Sequence, residues 1–465
     1  MSTQLRKKAA KQQKLLSALN SPLVRTPANS RPASDDEDAW SDVSGSTIDS
    51  YTSNGSRAFD DDTLITNWED ELKQSIEDLT EKRTSTREEA LVKFNKLLSR
   101  KYTAPYIESQ HHTLIDSLKR CIKRTGSTRE NVLAARALAL SFVNHGDISQ
   151  AEQEVLYQEV LPLLKYTIAN ATSAEVKATC LQCLSLSTFI AASNADSIDC
   201  LAFFLEILQS SGRSVHIDDA EGDDPLAVIM ASAARGYGLL YAVLWGEGRG
   251  RRADAWDEFE KSIPVHLKLL ESSNMEVRVA SGENIALMFE LIDLHNNELE
   301  LQDSDSDDTP LPQYDDMDNL VARLQALATD SNRRRNKKER ASQRLAFRDI
   351  VRTVEEGEPP AEKLKFRRST VHFSGWSKII QLASFREVLK EGLSAHFEEN
   401  ELLQTVFHYQ PDHSHFPHSP RPGSVMSADS DRDPDFSSDR KYLNSEMAKL
   451  RSKELKRMRK NKGGE

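Results

Sequence analysis

The sequence predicts an all-α chain: an armadillo- or HEAT-like solenoid of helical repeats, a smaller helical C-terminal domain, and disordered tails and linkers. Three observations carry that expectation. Apolar residues recur at helical spacing from Trp68 onward, strand-like alternation is scarce as far as Leu294, and a helix-opening motif returns at an interval of 44 residues. The composition agrees, since 38% hydrophobic and 29% charged residues in a chain of 465 are lean for one compact globule.

Residues 1–62 are rich in Ser, Asp, Asn, Thr and Pro and poor in large apolar side chains. They cannot bury enough surface to offset the entropy of ordering, so a disordered tail is expected. Its basic start (Arg6, Lys7, Lys8, Lys11, Lys14) has no apolar block behind it and does not read as a secretory signal. Asp35, Asp36, Glu37 and Asp38 after Ser34 suit either an acidophilic kinase or plain solubilising chain.

Residues 63–296 read as the repeat domain. Leu72, Ile76 and Leu79 share one helical face, and Leu91, Phe94, Leu97 and Leu98 another. Gly, Asn and Asp breaks mark helices of roughly 12–20 residues. Asn131-Val132-Leu133-Ala134-Ala135 opens one helix and Glu175-Val176-Lys177-Ala178-Thr179 another, 44 residues on. Glu276-Val277-Arg278-Val279-Ala280 follows after 101 more, room for two repeats and an insertion such as the acidic loop around Asp218 to Asp224. Helix pairs of this period bury their apolar faces against their neighbours and stack into a curved solenoid; a generic bundle is the competing reading. Leu226 to Trp245 is the nearest approach to a membrane span. Arg235 at its middle would cost about 2.5–3.5 kcal/mol in a bilayer, so a buried helix is expected, bending at Gly236 and Gly238.

Residues 297–318 read as an acidic linker, without a Lys or Arg from 298 onward. Asp303-x-Asp305-x-Asp307 is not a calcium loop, because Asp308 stands where the turn needs Gly and Tyr314 where a bidentate Glu is needed. Residues 319–408 form the expected C-terminal helical domain. Phe347, Ile350, Val351 and Val354 make one stripe, Phe385, Val388 and Leu389 a second, and Leu402, Leu403, Val406 and Phe407 a third. The first stripe, with Trp376, should pack on that domain's core and turn its charge outward. Residues 409–438 read as a disordered linker and 439–465 as a basic helix or tail.

The net charge of −12 excludes a uniformly basic nucleic-acid binder but not a basic patch. Arg333, Arg334, Arg335, Lys337, Lys338, Arg340, Arg344 and Arg348 crowd into 16 residues, opposed only by Glu339. A phosphate-binding patch, a nuclear import signal, and a surface that docks on the acidic linker all fit that run. The tail is similar: ten basic residues lie between Arg440 and Lys462 against Glu446 and Glu454. Lys449, Arg451, Lys453, Lys456, Arg457, Arg459 and Lys460 are its candidate phosphate contacts. Leu443, Met447 and Leu450 give only a thin apolar stripe, so the tail is either solvated or ordered by a polyanion. Tyr442 is its one aromatic residue, which does not support base stacking.

Catalytic motifs are missing. There is no phosphate loop with its Lys, no Gly-x-Ser-x-Gly elbow and no His-Glu-x-x-His pair. Gly246, Gly248 and Gly250 have the wrong spacing for a dinucleotide turn and read as a flexible loop before Arg251 and Arg252. Four cysteines fit a reducing compartment, and Cys180-x-x-Cys183 lacks the second ligand pair of a structural zinc. His413, His415 and His418 read as chance composition in a linker. A non-enzymatic protein is expected, with no cofactor, no metal, no small-molecule substrate and no membrane.

Three stretches resemble the interferon-related developmental regulator family. They are WEDELKQSIEDLTEKRTSTREEAL from Trp68 with Leu114 to Cys121; Lys337-Lys338-Glu339-Arg340-x-x-Gln343-Arg344-x-x-Phe347-Arg348-Asp349-Ile350 through Trp376, Phe385 to Leu389 and His396-x-x-x-Asn400-Glu401; and Tyr442-Leu443-Asn444-Ser445 with the basic run. The acidic linkers and the longer stretch after Phe407 depart from the family's pattern. The resemblance implies an armadillo-like fold, no enzymatic activity and control of gene expression. Two family roles follow as expectations. One is binding of inactive ribosomes or structured RNA through basic C-terminal elements, restraining translation in the cytoplasm. The other is transcriptional co-regulation in the nucleus, with protein partners in the solenoid groove.

Overall fold

Every helix leaves its last carbonyls without intrahelical partners, and the way this chain closes them defines its repeat. In the computed structural model, which describes residues 67–411 except 125, 216–223, 247–251, 302–310, 330–336 and 367–369, helices come in antiparallel pairs. The outer members are α1 (Trp68–Asp78), α3 (His111–Lys123), α5 (Gln150–Asn170), α7 (Asn194–Gln209), α9 (Arg252–Leu269) and α11 (Met317–Ala328). The inner members are α2 (Thr84–Arg100), α4 (Thr128–Val143), α6 (Ala174–Ala191), α8 (Pro225–Tyr241), α10 (Met275–Leu301) and α12 (Lys337–Glu356). Each inner helix packs on its outer mate and on the next inner helix, so the inner members form one continuous row.

A donor side chain near the start of an inner helix reaches back to the carbonyls ending its outer mate. Arg87 donates to Glu81 O and Lys82 O at 2.8 and 2.7 Å. Asn131 donates to Cys121 O, Ile122 O and Arg124 O. Lys177 donates to Ile168 O and Ala169 O at 2.8 and 2.9 Å, and Arg278 to Ser272 O and Ser273 O at 2.5 and 2.8 Å. Each is the fourth residue of its helix. The buried Arg87 also pairs with Glu130 of the next repeat at 2.6 Å. Ser127, Ser149, Ser173 and Ser193 accept the N–H three residues on and cap α4 to α7.

The apolar stretch from Leu226 runs through α8 into a π-helical turn at Ala242–Gly246. Among the described residues it is the one helix long and apolar enough to cross a membrane, and most of it is buried between its neighbours. Its glycines allow close packing. A methyl at Gly236 would fall 2.9 Å from the Phe204 ring, and one at Gly238 would overlap Asn284.

The C-terminal segment departs from the sequence reading in two ways. First, α11 and α12 are the next pair of the stack rather than the start of a separate body. A methyl at Gly282 of α10 would lie 2.9 Å from Ile350 and 3.0 Å from Phe347, so α12 lies flush on α10. The end of the expected acidic linker is docked as well: Leu311 N–H donates to Asn296, and Tyr314 meets Phe259 and Phe289 edge-on. Second, the chain is not purely helical. Strands β1 (Ala361–Lys365) and β2 (Thr370–Ser374) pair antiparallel, Ala361 opposite Ser374.

Helix α13 (Trp376–Leu389) then crosses the inner row, touching α10, α8, α4 and α2, with Phe385 against Phe189 of α6. It is about 21 Å long and makes contact at both ends with the row, from α10 to α2. Both carboxylate oxygens of Glu290 lie 2.9 Å from the Trp376 N–H at the start of α13. At the far end Gly392 lies against the backbone of Ser99, where any larger residue would overlap the carbonyl. Helices α14 (Leu393–Glu399) and α15 (Glu401–Phe407) finish the segment. His396 Nε2–H donates to Leu98 O at 3.0 Å and Asn400 to Val143 O at 2.9 Å, closing the last turns of α2 and α4.

Burial pushes the His396 imidazole down to about 4. The unfolded chain takes up this proton near 6.5, so the stability the neutral ring contributes is lost as pH falls from about 6.5 to 4. Half-buried Glu283, raised to about 7 by desolvation, acts in the opposite sense, holding a proton in the fold as pH rises above about 4.5. A variant comparison separates the two. The stability advantage of the native protein over His396→Gln should shrink by about 2 kcal/mol between pH 7 and 5 in chemical denaturation. A pH-independent difference would contradict the buried neutral ring.

Candidate nucleic-acid interface

Helix α12 joins an apolar stripe to a basic one. Phe347 and Ile350 are fully buried, Val354 nearly so, and Val351 packs at the edge of the same core. The stripe faces α10 rather than a separate C-terminal core, while Trp376 Nε1–H donates to Thr353 Oγ1 at 2.9 Å and ties α12 to α13. Gln343 accepts from Arg278 Nε at 3.2 Å and donates to Leu327 O at 3.2 Å, fixing α12 to two earlier helices. With its apolar side held in this way, the opposite side faces outward.

Arg340, Arg344, Arg348 and Arg352 follow at every fourth residue and share one line along the helix. They are not equivalent. Arg340 is the fourth residue of α12, the position that closes carbonyls in four earlier pairs, and it is half-buried. Arg352 pairs with Glu358 at 3.7 Å. Arg344 and Arg348 are exposed, and among the described residues neither is in an ion pair. Lys338 is exposed near the helix start, and exposed Leu345 lies between the two free arginines. Lys337 opens the helix. Arg333, Arg334 and Arg335 lie outside the described residues, as do Lys449, Arg451, Lys453, Lys456, Arg457, Arg459 and Lys460 of the tail and the histidines at 413, 415 and 418.

The remaining candidates have structural surroundings. Cys180 and Cys183 are fully buried in α6, and burial pushes the Cys180 thiol up to about 12. Among the described residues no group of His, Cys, Asp and Glu is arranged to hold a metal ion. The face of the inner row that a solenoid offers as its groove is crossed by α13. Arg136 of α4 donates to Val388 O at 3.1 Å. Exposed Glu387 of α13 adds a favourable charge to both Arg136 and Arg235, although desolvation is the larger influence on each. Sequence reading missed this segment's role. His396 and Asn400 stood out only as family residues, because their partners lie 298 and 257 positions away.

Residues 39–355 match the Interferon-related developmental regulator family. The chain is 29% identical to mouse Interferon-related developmental regulator 2 over 363 residues, which covers 77% of this chain and 76% of that one. It is 29% identical to human Interferon-related developmental regulator 1 over 396 residues, 82% of this chain and 81% of the other. An uncharacterized protein of Schizosaccharomyces pombe is 26% identical over 355 residues, 74% of this chain and 75% of its own length. With more than half of its length matched, this chain belongs to the interferon-related developmental regulator family.

Proposed function

We propose that this protein is a non-enzymatic regulator of gene expression that engages ribosomes or other structured RNA through its basic C-terminal elements, restraining translation in the cytoplasm. Family membership supports the general role. One observation carries the finer reading. Burial of Phe347 and Ile350 fixes the orientation of α12, so Arg344 and Arg348 stand in solvent one helical turn apart, about 6 Å along the axis, without ion-pair partners among the described residues. Fixed cations at such spacing suit phosphates, and the scarcity of aromatic residues nearby favours backbone contacts over base readout.

The test is co-sedimentation with ribosomes from a cell extract, with and without ribonuclease. Reversing Arg344 and Arg348 to Glu should weaken association and lower the log–log salt slope by about two units. Reversing Lys453, Lys456, Arg457, Arg459 and Lys460 to Glu should remove much of the remainder. Neither set should move the thermal midpoint of the body much: Arg344 and Arg348 are exposed, and a segment basic nearly all round has little apolar surface to bury. Unchanged co-sedimentation together with loss of nuclear entry would instead support the import reading. A groove-binding adaptor is the weaker alternative, because α13 already crosses that face.

A further inference from the structure

The two middle outer helices differ from their neighbours in what they show to solvent. Along the exposed crest of α3 stand His112, Asp116, Arg120 and Lys123, and along that of α9 Asp257, Lys261, Pro264 and Lys268. The crest of α5 instead carries Val155, Pro162 and Tyr166, and that of α7 Ala195, Ile198 and Ala202. Val155, Tyr166 and Ile198 are 53%, 67% and 49% exposed. A single apolar residue on a surface needs no explanation, but these follow helical spacing on adjacent helices.

Two contacts set α5 and α7 side by side. Gln158 Nε2 donates to Asp196 Oδ2 at 2.8 Å, and Lys165 Nζ lies 5.5 Å from the centre of the Phe203 ring. Both pairs are 38 positions apart, so the helices run parallel and in register. Ile198 is then level with the stretch between Gln158 and Pro162, and the two apolar crests flank a shallow furrow about 10 Å across. Glu154 lies one turn before Gln158, while Asp199 and Glu206 follow Asp196 and Phe203 by three residues, so these carboxylates border the furrow. Among the described residues none of the three is in an ion pair. Lys165 is the one cation of the two helices, and it already faces the Phe203 ring.

An apolar surface bordered by unpaired carboxylates is complementary to a helix with one apolar face and lysines or arginines along its edges. Laid along the furrow, such a helix would keep the spacing that neighbours in the stack already keep. Its apolar side chains would meet Val155, Tyr166 and Ile198, and its cations Glu154, Asp199 and Glu206. A nucleic-acid phosphate or an anionic lipid headgroup would be repelled by the same carboxylates. We propose that α5 and α7 form a docking surface for a basic amphipathic helix of a partner protein. This surface belongs to the outer helices, and the proposal does not rest on RNA binding by α12.

The test uses the full-length protein and two capped, dye-labelled peptides of about five helical turns, read by fluorescence anisotropy at physiological salt. One peptide has leucine along one face and lysine elsewhere; the other has glutamate for every lysine. The lysine peptide should bind, and the glutamate peptide should bind at least about tenfold more weakly. Val155→Ser, Tyr166→Ser and Ile198→Ser together should weaken the lysine peptide about tenfold or more, because the apolar contact is lost. Glu154→Gln, Asp199→Asn and Glu206→Gln together should also weaken it, and should narrow the gap between the two peptides. These residues line the surface without filling the core, so the charge variant carries the test even if the apolar one folds poorly. A control with Val228→Ser and Leu294→Ser, two exposed apolar residues on inner helices, should bind like the native protein. Equal binding of the two peptides, undiminished binding by the charge variant, an equal loss in the control, or no binding at millimolar peptide would each overturn the proposal.

Discussion

Truncating Phe347 to Ala should destabilise the folded body by about 3–5 kcal/mol, among the largest effects of any single side chain in α12. The ring is fully buried and sits over Gly282, where α10 offers only backbone. Neighbouring helices are already in close contact there, so the space left by the ring cannot collapse readily, and the cavity adds to the lost burial. Leu345→Ala on the same helix is the matched control, because Leu345 is 48% exposed and should cost within about 0.5 kcal/mol. Chemical denaturation of both variants would decide. An unchanged midpoint for Phe347→Ala would mean that α12 is not docked, and Arg344 and Arg348 would then have no fixed direction.

Arg278→Met should cost about 3 kcal/mol or more, although methionine fills much of the same volume. The loss lies in what the guanidinium satisfies. Ser272 O, Ser273 O and the side chain of Gln343 all accept from it, and Arg278 is 2% exposed. Methionine leaves those acceptors without donors in a place water reaches poorly. Arg278→Lys should recover much of the loss, because Lys177 closes two carbonyls from the equivalent place in α6 with a single ammonium. What lysine cannot restore is the planar fork toward Gln343, and hence the link from α10 to α12. A methionine variant as stable as the native protein would show that the turn carbonyls find other donors at little cost.

How much of this was legible depended on distance along the chain. Helical stripes such as Leu91, Phe94, Leu97 and Leu98 are local, and the sequence declares them. The repeat motif was legible in part. Lys177 and Arg278 fell into register, but an offset of 44 matched Asn131 to Glu175, whereas Asn131 and Lys177, 46 apart, do the same work. Similar apolar lettering concealed the shift, since the role belongs to a side chain reaching the preceding turn. The hairpin of β1 and β2 went unread because its strands are short and mostly exposed, with only Phe373 buried. At the candidate site the charge run was plain, but its division was not. Arg340 and Arg344 look alike in sequence, and only the start of α12 shows that the first occupies the repeat's carbonyl-closing position. The return of α13 across the row has no local period at all.

That return has a consequence for the chain as it is made. The helix that covers the inner row is nearly the last described element to be synthesised, while the row it covers is complete up to α10 by about residue 301. Synthesis proceeds at roughly 5–20 residues per second, so the next hundred residues occupy about 5–20 s. Throughout that interval the surface later shared with Phe385, Val388 and Leu389 is open to water and to any competing apolar segment. A nascent chain of this protein therefore passes through a period of adhesiveness that the finished molecule does not have.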